Sequence, residues 1–189
     1  QLGILFEFME KKDPMKSTMI VFTSDHGEYF GDHWMGDKDF FHDPAAKVPL
    51  TIADPDPSCD NTRGSVQNAP VEAIDLVPTF IEYAGGAVPK HILDGRSLMP
   101  LLQGDKVPWR EFIFSEYDYF QQTFSPKTGR TPLECRIYMI KNDRWKYIHA
   151  PGFTPMLFDL ANDPDEFVDL GNSDDYADAR QRMHYALAD

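Results

Sequence analysis

The stretch Met19-Ile-Val-Phe-Thr-Ser-Asp-His-Gly-Glu28 constrains the fold of this chain more than any other. Met19 to Phe22 is a short apolar run of the kind that fills a buried parallel strand. The run stops at Thr23 and Ser24, and Asp25, His26 and Gly27 follow at once. A carboxylate oxygen and an imidazole nitrogen are thus delivered together at the carboxyl end of a strand, the edge where open α/β sheets bind ligands. Asp with His is also a common way to hold a divalent metal. Taken alone, the tripeptide reads more simply as a turn in which Asp25 caps a helix starting at Gly27. The residues that follow decide for the site.

Composition bounds the partners. The chain has 189 residues, 42% hydrophobic and 13% aromatic, which is a globular composition with room for a sizeable core. Its net charge of −13 predicts repulsion from nucleic acid and from anionic membranes. A small anionic substrate would then depend on local positive charge, from a metal or a placed lysine. No run is long enough to span a bilayer. Gln1 to Glu10 lacks the basic start and small-residue cleavage site of a signal peptide, and its apolar residues sit at helical spacing. This segment reads as the inside of a helix, hence as part of a longer protein. Cys59 and Cys135 are too few for a disulfide framework and read as two reduced thiols.

Along the chain, Leu2, Leu5, Phe6 and Met9 mark one face of a helix that Asp13-Pro14 ends. Ser17 to Thr23 and Val48 to Ala53 read as strands, and residues 27–42 as an aperiodic functional loop. Ile74, Leu76, Val77, Phe80, Ile81 and Ala84 form a helical stripe stopped at Gly85-Gly86, with Pro78 suited to a first-turn position. Past Trp109 the texture changes. Phe112 to Tyr117, Arg136 to Ile140, Trp145 to His149 and Leu157 to Leu160 are strand-like, with a hairpin turn at Asn142-Asp143, and residues 174–188 close the chain as a helix. The expected division is residues 1–108, a parallel α/β portion, and residues 109–189, a small antiparallel sheet with one helix.

Lys38 follows Asp25 by thirteen residues, in Gly31-Asp-His-Trp-Met-Gly-Asp-Lys38. A lysine on a loop over a metal site can neutralise a bound anion or protonate a leaving oxygen. The competing reading is a solvated surface lysine. His33 reads as a loop or packing histidine, and the same reading competes at His42.

These residues reach a family. Ser24-Asp-His-Gly-Glu28, Gly31-Asp-His33, Lys38 and Val48-Pro-Leu50 together resemble the sulfatase family. The downstream landmarks keep its order. Asp75-Leu-Val-Pro-Thr79 resembles its Asp-x-x-Pro-Thr helix, and Asp94-Gly-Arg-Ser-Leu98 its Asp-Gly-x-Ser-Leu segment. Arg144-Trp-Lys-Tyr147, Leu157-Phe-Asp-Leu160 and Asp163-Pro-Asp-Glu166 resemble its closing hairpin and turn. Asp-His at the metal position looks most like the phosphonate and phosphodiester monoesterase branch, or choline-sulfatase-like members.

The resemblance implies the C-terminal part of an alkaline-phosphatase-like α/β sandwich followed by a small antiparallel α+β subdomain. It implies Asp25 and His26 as metal ligands, and Lys38 in contact with the sulfuryl or phosphoryl group. The cofactor would be a divalent metal, Mn²⁺ or Ca²⁺, with His26 tilting the choice toward Mn²⁺. Such an ion takes about four to six ligands, so two residues hold it incompletely.

The departure is as informative as the match. Sulfatases carry a Cys/Ser-x-Pro/Ala-x-Arg motif whose first residue becomes formylglycine. Neither Cys59, followed by Asp60-Asn-Thr-Arg63, nor Cys135, followed by Arg136-Ile-Tyr-Met139, fits it. The family's first metal-binding Asp cluster is also absent. The expected function is therefore the C-terminal segment of a metal-dependent hydrolase of sulfate, phosphonate or phosphate esters, its formylglycine-type nucleophile coming from a preceding half. By itself the chain is expected to be inactive and to self-associate through surfaces left open. The competing function is a non-catalytic binding or assembly domain on the same fold, with the aromatic Tyr117-Asp-Tyr-Phe120 and the loop from Gln121 to Leu133 at its interface. Sheet packing is the preferred reading of those aromatics.

Overall fold

The computed structural model describes residues 1–12, 14–119, 129 and 131–188. Asp13, at the expected end of the first helix, lies outside the described residues, as do Phe120, residues 121–128 and residue 130 of the loop weighed above as an interface. The chain forms two compact units interleaved in sequence: Gln1–Asp25 with Pro49–Trp109, and His26–Val48 with Arg110–Asp189.

The first unit begins with helix α1, Leu2–Lys12, none of whose residues is buried. Leu2, Leu5 and Phe6 of the apolar face are exposed, and so is Ile4. Strand β1, Ile20–Thr23, follows the apolar run and pairs with β2, Leu50–Ala53. The pairing corrects the sequence reading: it is antiparallel, with Ile20 opposite Ala53 and Thr23 opposite Leu50. Nor is β1 buried on both faces, since Ile20 and Val21 are half-buried and Phe22 is 48% exposed. An apolar run sets how much surface a strand would bury, but it carries no information on the direction of the neighbouring strand.

Helix α3, Leu76–Tyr83, has Pro78 in its first turn, where the missing N–H costs nothing. Its entry explains two of the sequence landmarks at once. Asp75 is fully buried, and its carboxylate accepts from the backbone N–H of Glu72 at 2.9 Å and of Arg96 at 2.8 Å. The Thr79 hydroxyl donates to the Asp75 carbonyl at 2.6 Å and accepts from the Leu98 N–H at 2.8 Å. At Gly95, a Cβ would lie 2.1 Å from the Ile74 carbonyl oxygen, so only glycine allows this approach. The Asp-x-x-Pro-Thr and Asp-Gly-x-Ser-Leu segments are two halves of one hydrogen-bonded lock. It delivers the chain to α4, Met99–Gln103.

The second unit is built on four antiparallel strands in sequential order: β3, Ile113–Asp118; β4, Arg136–Lys141; β5, Trp145–His149; and β6, Met156–Asp159. The β4–β5 hairpin turns at Asn142 as expected, the Asn142 side chain accepting from the N–H groups of Arg144 and Trp145. Alternation gives the sheet two apolar faces. Ile140, Tyr147 and Leu157 stand side by side and pack against Met183 of helix α5, Ala177–Ala188. Met139, Ile148 and Phe158 face the other way and pack against Phe41. The segment around Phe41 is thus the second cover of the sheet, and this is why His26–Val48 belongs with the C-terminal residues. Cys59 and Cys135 are free, buried thiols.

Candidate functional site

Asp25 follows β1 by two residues and is exposed at the end of the first unit's opening segment, where the Ser24 hydroxyl donates to its Oδ1 at 3.4 Å. His26 opens the second unit. Gly27 fixes its position. The Gly27 N–H donates to the Ala45 carbonyl at 2.8 Å and the Glu28 N–H to the Pro44 carbonyl at 2.9 Å. Both acceptors lie in the short helix α2, Asp43–Ala46. A Cβ at position 27 would lie 1.9 Å from the Pro44 oxygen, so the chain passes over α2 only as glycine.

The imidazole of His26 has its two nitrogens assigned by chemistry. Nδ1 lies 2.7 Å from the Gly27 carbonyl oxygen, which can only accept, so Nδ1 carries the hydrogen. Nε2 lies 3.0 Å from the Lys38 ammonium, which can only donate, so Nε2 offers its lone pair. This is the neutral form that ligates a divalent ion, with the other ring nitrogen bonded to a backbone carbonyl. The structure thus brings His26 and Lys38 together within the second unit. Among the described residues, no group of three or more His, Cys, Asp or Glu side chains is gathered to hold a metal.

The loop from Tyr29 to Phe41 carries Lys38 in an unusual backbone. Phe30, His33, Trp34, Asp37 and Phe40 all have positive φ, between 49° and 70°. Each such residue costs on the order of 1–3 kcal/mol and persists only where its surroundings impose it. The surroundings are visible here. Tyr29 is buried, its hydroxyl lies 2.9 Å from His42 Nδ1, and burial pushes its phenol up to about 12. His33 stacks on His42 at 4.1 Å and on Phe167 at 5.1 Å, the packing role read for it from sequence. Burial, then the neighbouring His33 and Lys146, lower His42 to about 4, so it is neutral. Next to Lys38, the Tyr117 hydroxyl donates to Asp39 at 2.9 Å, and the Tyr119 hydroxyl accepts the Phe40 N–H at 3.2 Å. These tyrosines serve the loop as well as the sheet.

α2 is held from beneath by charge. Lys146 on β5 has a fully buried side chain, and its ammonium donates to the Phe41 carbonyl at 2.8 Å and to Asp43 Oδ1 at 2.5 Å, and pairs with Glu166. Lys141 donates to both oxygens of Asp43, at 2.9 and 3.1 Å. Burial alone would raise the Asp43 carboxyl, but the two lysines hold it below the usual carboxylate range. Glu166 accepts the Asp43 N–H at 2.7 Å. Sequence reasoning missed Lys146, Asp43 and Glu166. The alternation around β5 was the available signal, since Lys146 falls on the same side as Ile148.

Comparison with known proteins identifies the family of the chain. Residues 31–189 match the family model described as N-sulphoglucosamine sulphohydrolase, C-terminal. The multifunctional alkaline phosphatase superfamily protein PehA of Trinickia caryophylli is 33% identical over 180 residues, covering 93% of this chain and 34% of that protein. An N-acetylglucosamine-6-O-sulfatase of Bacteroides thetaiotaomicron is 30% identical over 191 residues, covering 98% of this chain and 32% of its own length. The crystal structure of the phosphonate monoester hydrolase of Agrobacterium radiobacter superposes with a TM-score of 0.89 at 34% identity, over 99% of this chain and 37% of that one. The chain spans about a third of the length of these relatives. With its α/β fold, its ordered landmarks and the family match running through both units, the chain belongs to the sulfatase family of the alkaline phosphatase superfamily, as a C-terminal part.

Proposed function

We propose that this chain supplies the C-terminal part of the active site in a metal-dependent hydrolase of sulfate esters or of phosphonate and phosphate (di)esters. The observation that carries the reading is the imidazole of His26, fixed with Nδ1 protonated and Nε2 turned to the ammonium of Lys38. Asp25, the preceding residue, adds a hard oxygen donor. Asp25 and His26 are the proposed ligands, with Mn²⁺ preferred to Ca²⁺ because of the imidazole. A bound divalent ion would polarise a sulfuryl or phosphoryl oxygen and help ionise the nucleophile.

One lone pair cannot serve two partners. With His26 Nε2 engaged as a ligand, the Lys38 ammonium is released to the anionic oxygen of the substrate. There it offsets developing charge or gives a proton to the leaving oxygen. In a chain of net charge −13, such a local cation is what makes an anionic ester acceptable. The nucleophile of this scheme is a formylglycine-type residue outside these 189 residues. Neither cysteine has the motif, and burial pushes the Cys59 thiol up, away from its reactive form. No helix among the described residues is long and apolar enough to cross a membrane.

Equilibrium dialysis of the longer protein against Mn²⁺ tests the ligand assignment. His26→Gln is expected to weaken retention by at least about 100-fold, the upper end of what losing even an outer-shell partner of a metal ligand costs. Unchanged retention by a folded His26→Gln protein would remove His26 from the site.

A further inference from the structure

Lys146 has no part in the scheme above, yet it occupies a costly position. Its side chain is fully buried in the second unit. Taking an ammonium out of water is costly and only good pairing repays it, and a methionine of similar length would fill the same space. The ammonium donates to the Phe41 carbonyl and to Asp43 Oδ1, and it forms an ion pair with the buried Glu166 carboxylate. These partners converge on the turn into α2. Glu166 closes the arrangement by accepting the Asp43 N–H, and it does so from a left-handed backbone, φ 60°, unusual for a residue with a side chain. With Lys141 on Asp43, two lysines face two carboxylates.

What the pinned turn carries is His26. The carbonyls of Pro44 and Ala45 accept Glu28 and Gly27, and the Gly27 carbonyl in turn accepts the Nδ1 hydrogen of His26. An unbroken series of bonds leads from the buried ammonium through Asp43 and α2 to Gly27 and the imidazole. We infer that Lys146 is a positioning residue: with Asp43 and Glu166 it holds the α2 turn on which Gly27 docks, and so it fixes the Nδ1-protonated form of His26. The use of that form in hydrolysis rests on the function proposed above, but its existence and its dependence on Lys146 do not.

The test is nuclear magnetic resonance of the full chain labelled with ¹⁵N-histidine, without metal. Long-range proton–nitrogen spectra read the tautomer, and the His26 signal is identified by its loss in His26→Gln. The wild type is expected to show the single Nδ1-protonated form. The double variant Lys146→Met/Glu166→Gln removes opposite charges in balance. It is expected to show a mixture of tautomers, with amide exchange at Gly27 and Glu28 about tenfold faster, the scale of one lost hydrogen bond. Exchange along the β4–β5 pairing should stay at the wild-type rate. Lys146→Arg should restore the single form in part.

An unchanged tautomer with unchanged exchange at Gly27 in the folded variant would overturn the inference. So would equal acceleration across β4 and β5, because Lys146 would then serve the sheet as a whole. Should the double variant not fold, Asp43→Asn, which leaves Lys146 and Glu166 paired, carries the same two readings with a smaller effect. A chain that shows the fixed tautomer, beside a longer protein that neither binds metal nor hydrolyses esters, would refute the proposed function while leaving this inference standing.

Discussion

At the scale of the residue, Gly27 and His42 show how tightly the loop is specified. A methyl group on Gly27 would sit 1.9 Å from one α2 backbone atom and 2.9 Å from the next, neither of which can turn aside. Gly27→Ala is therefore expected to destabilise the protein by about 1–3 kcal/mol, the usual range for overpacking. Urea denaturation of the two proteins side by side checks this through the shift in midpoint. His42 gives a pH dependence whose sign follows from its surroundings. Its folded value is lowered to about 4, first by burial and then by the neighbouring His33 and Lys146, whereas in the unfolded chain it titrates at the ordinary 6.5. Between these values the unfolded state binds more protons, so stability is full above about pH 6.5 and falls as the pH drops toward 4. Denaturation midpoints at pH 7 and pH 5 should differ in that direction, and His42→Gln should reduce the difference. Of these residues, Asp25, His26 and Lys38 stand out in the sequence because polar groups of distinct chemistry cluster just after an apolar run. Lys146 and Glu166 do not, because a strand lysine and a turn glutamate ordinarily face water; alternation sets Lys146 on the side of Ile148, but only the completed sheet shows that this side is covered.

At the scale of the element, the lock between α3 and the Asp94 to Leu98 segment is the clearest case of sequence and structure agreeing. Asp75 serves two backbone N–H groups from a fully buried position, which makes its side chain hard to replace. Asp75→Ala leaves both donors without their acceptor, at about 1–3 kcal/mol each. Thermal unfolding should show the drop, and Asp75→Asn, which keeps one acceptor oxygen, should recover part of it. Strands and the longer helices were legible, from β4 at Arg136 to α5 ending at Ala188, because period 2 and period 3.6 are local properties, whereas the four-residue α2 is too short to show a period. The direction of β1 was not legible. Pairing with Leu50–Ala53 is a relation between distant segments, and an apolar tetrapeptide fits either direction. The same limit explains the interleaving of units: nothing local in Phe41 announces that it covers Met139 and Ile148 a hundred residues on.

At the scale of the whole molecule, the chain spans about a third of the length of its sulfatase-family relatives. On the function proposed above, the task of its second unit is to present His26 and Lys38, which lie within hydrogen-bond distance of each other. A sheet faced on one side by α5 carries on the other the segment that bears them, and buried charge fastens that segment. If the task is catalysis, the lysine must matter to rate in the longer protein far more than it matters to folding, since Lys38 lies at the surface. The most direct measurement is kcat/KM of the longer protein, with Mn²⁺, on an aryl sulfate and an aryl phosphonate monoester, for the wild type and for Lys38→Ala. The account predicts a loss of about 10²–10³-fold on whichever ester the wild type hydrolyses, the range for removing one group that stabilises transition-state charge, with the melting temperature unchanged. A folded Lys38→Ala protein that turns over the ester at the wild-type rate would contradict it.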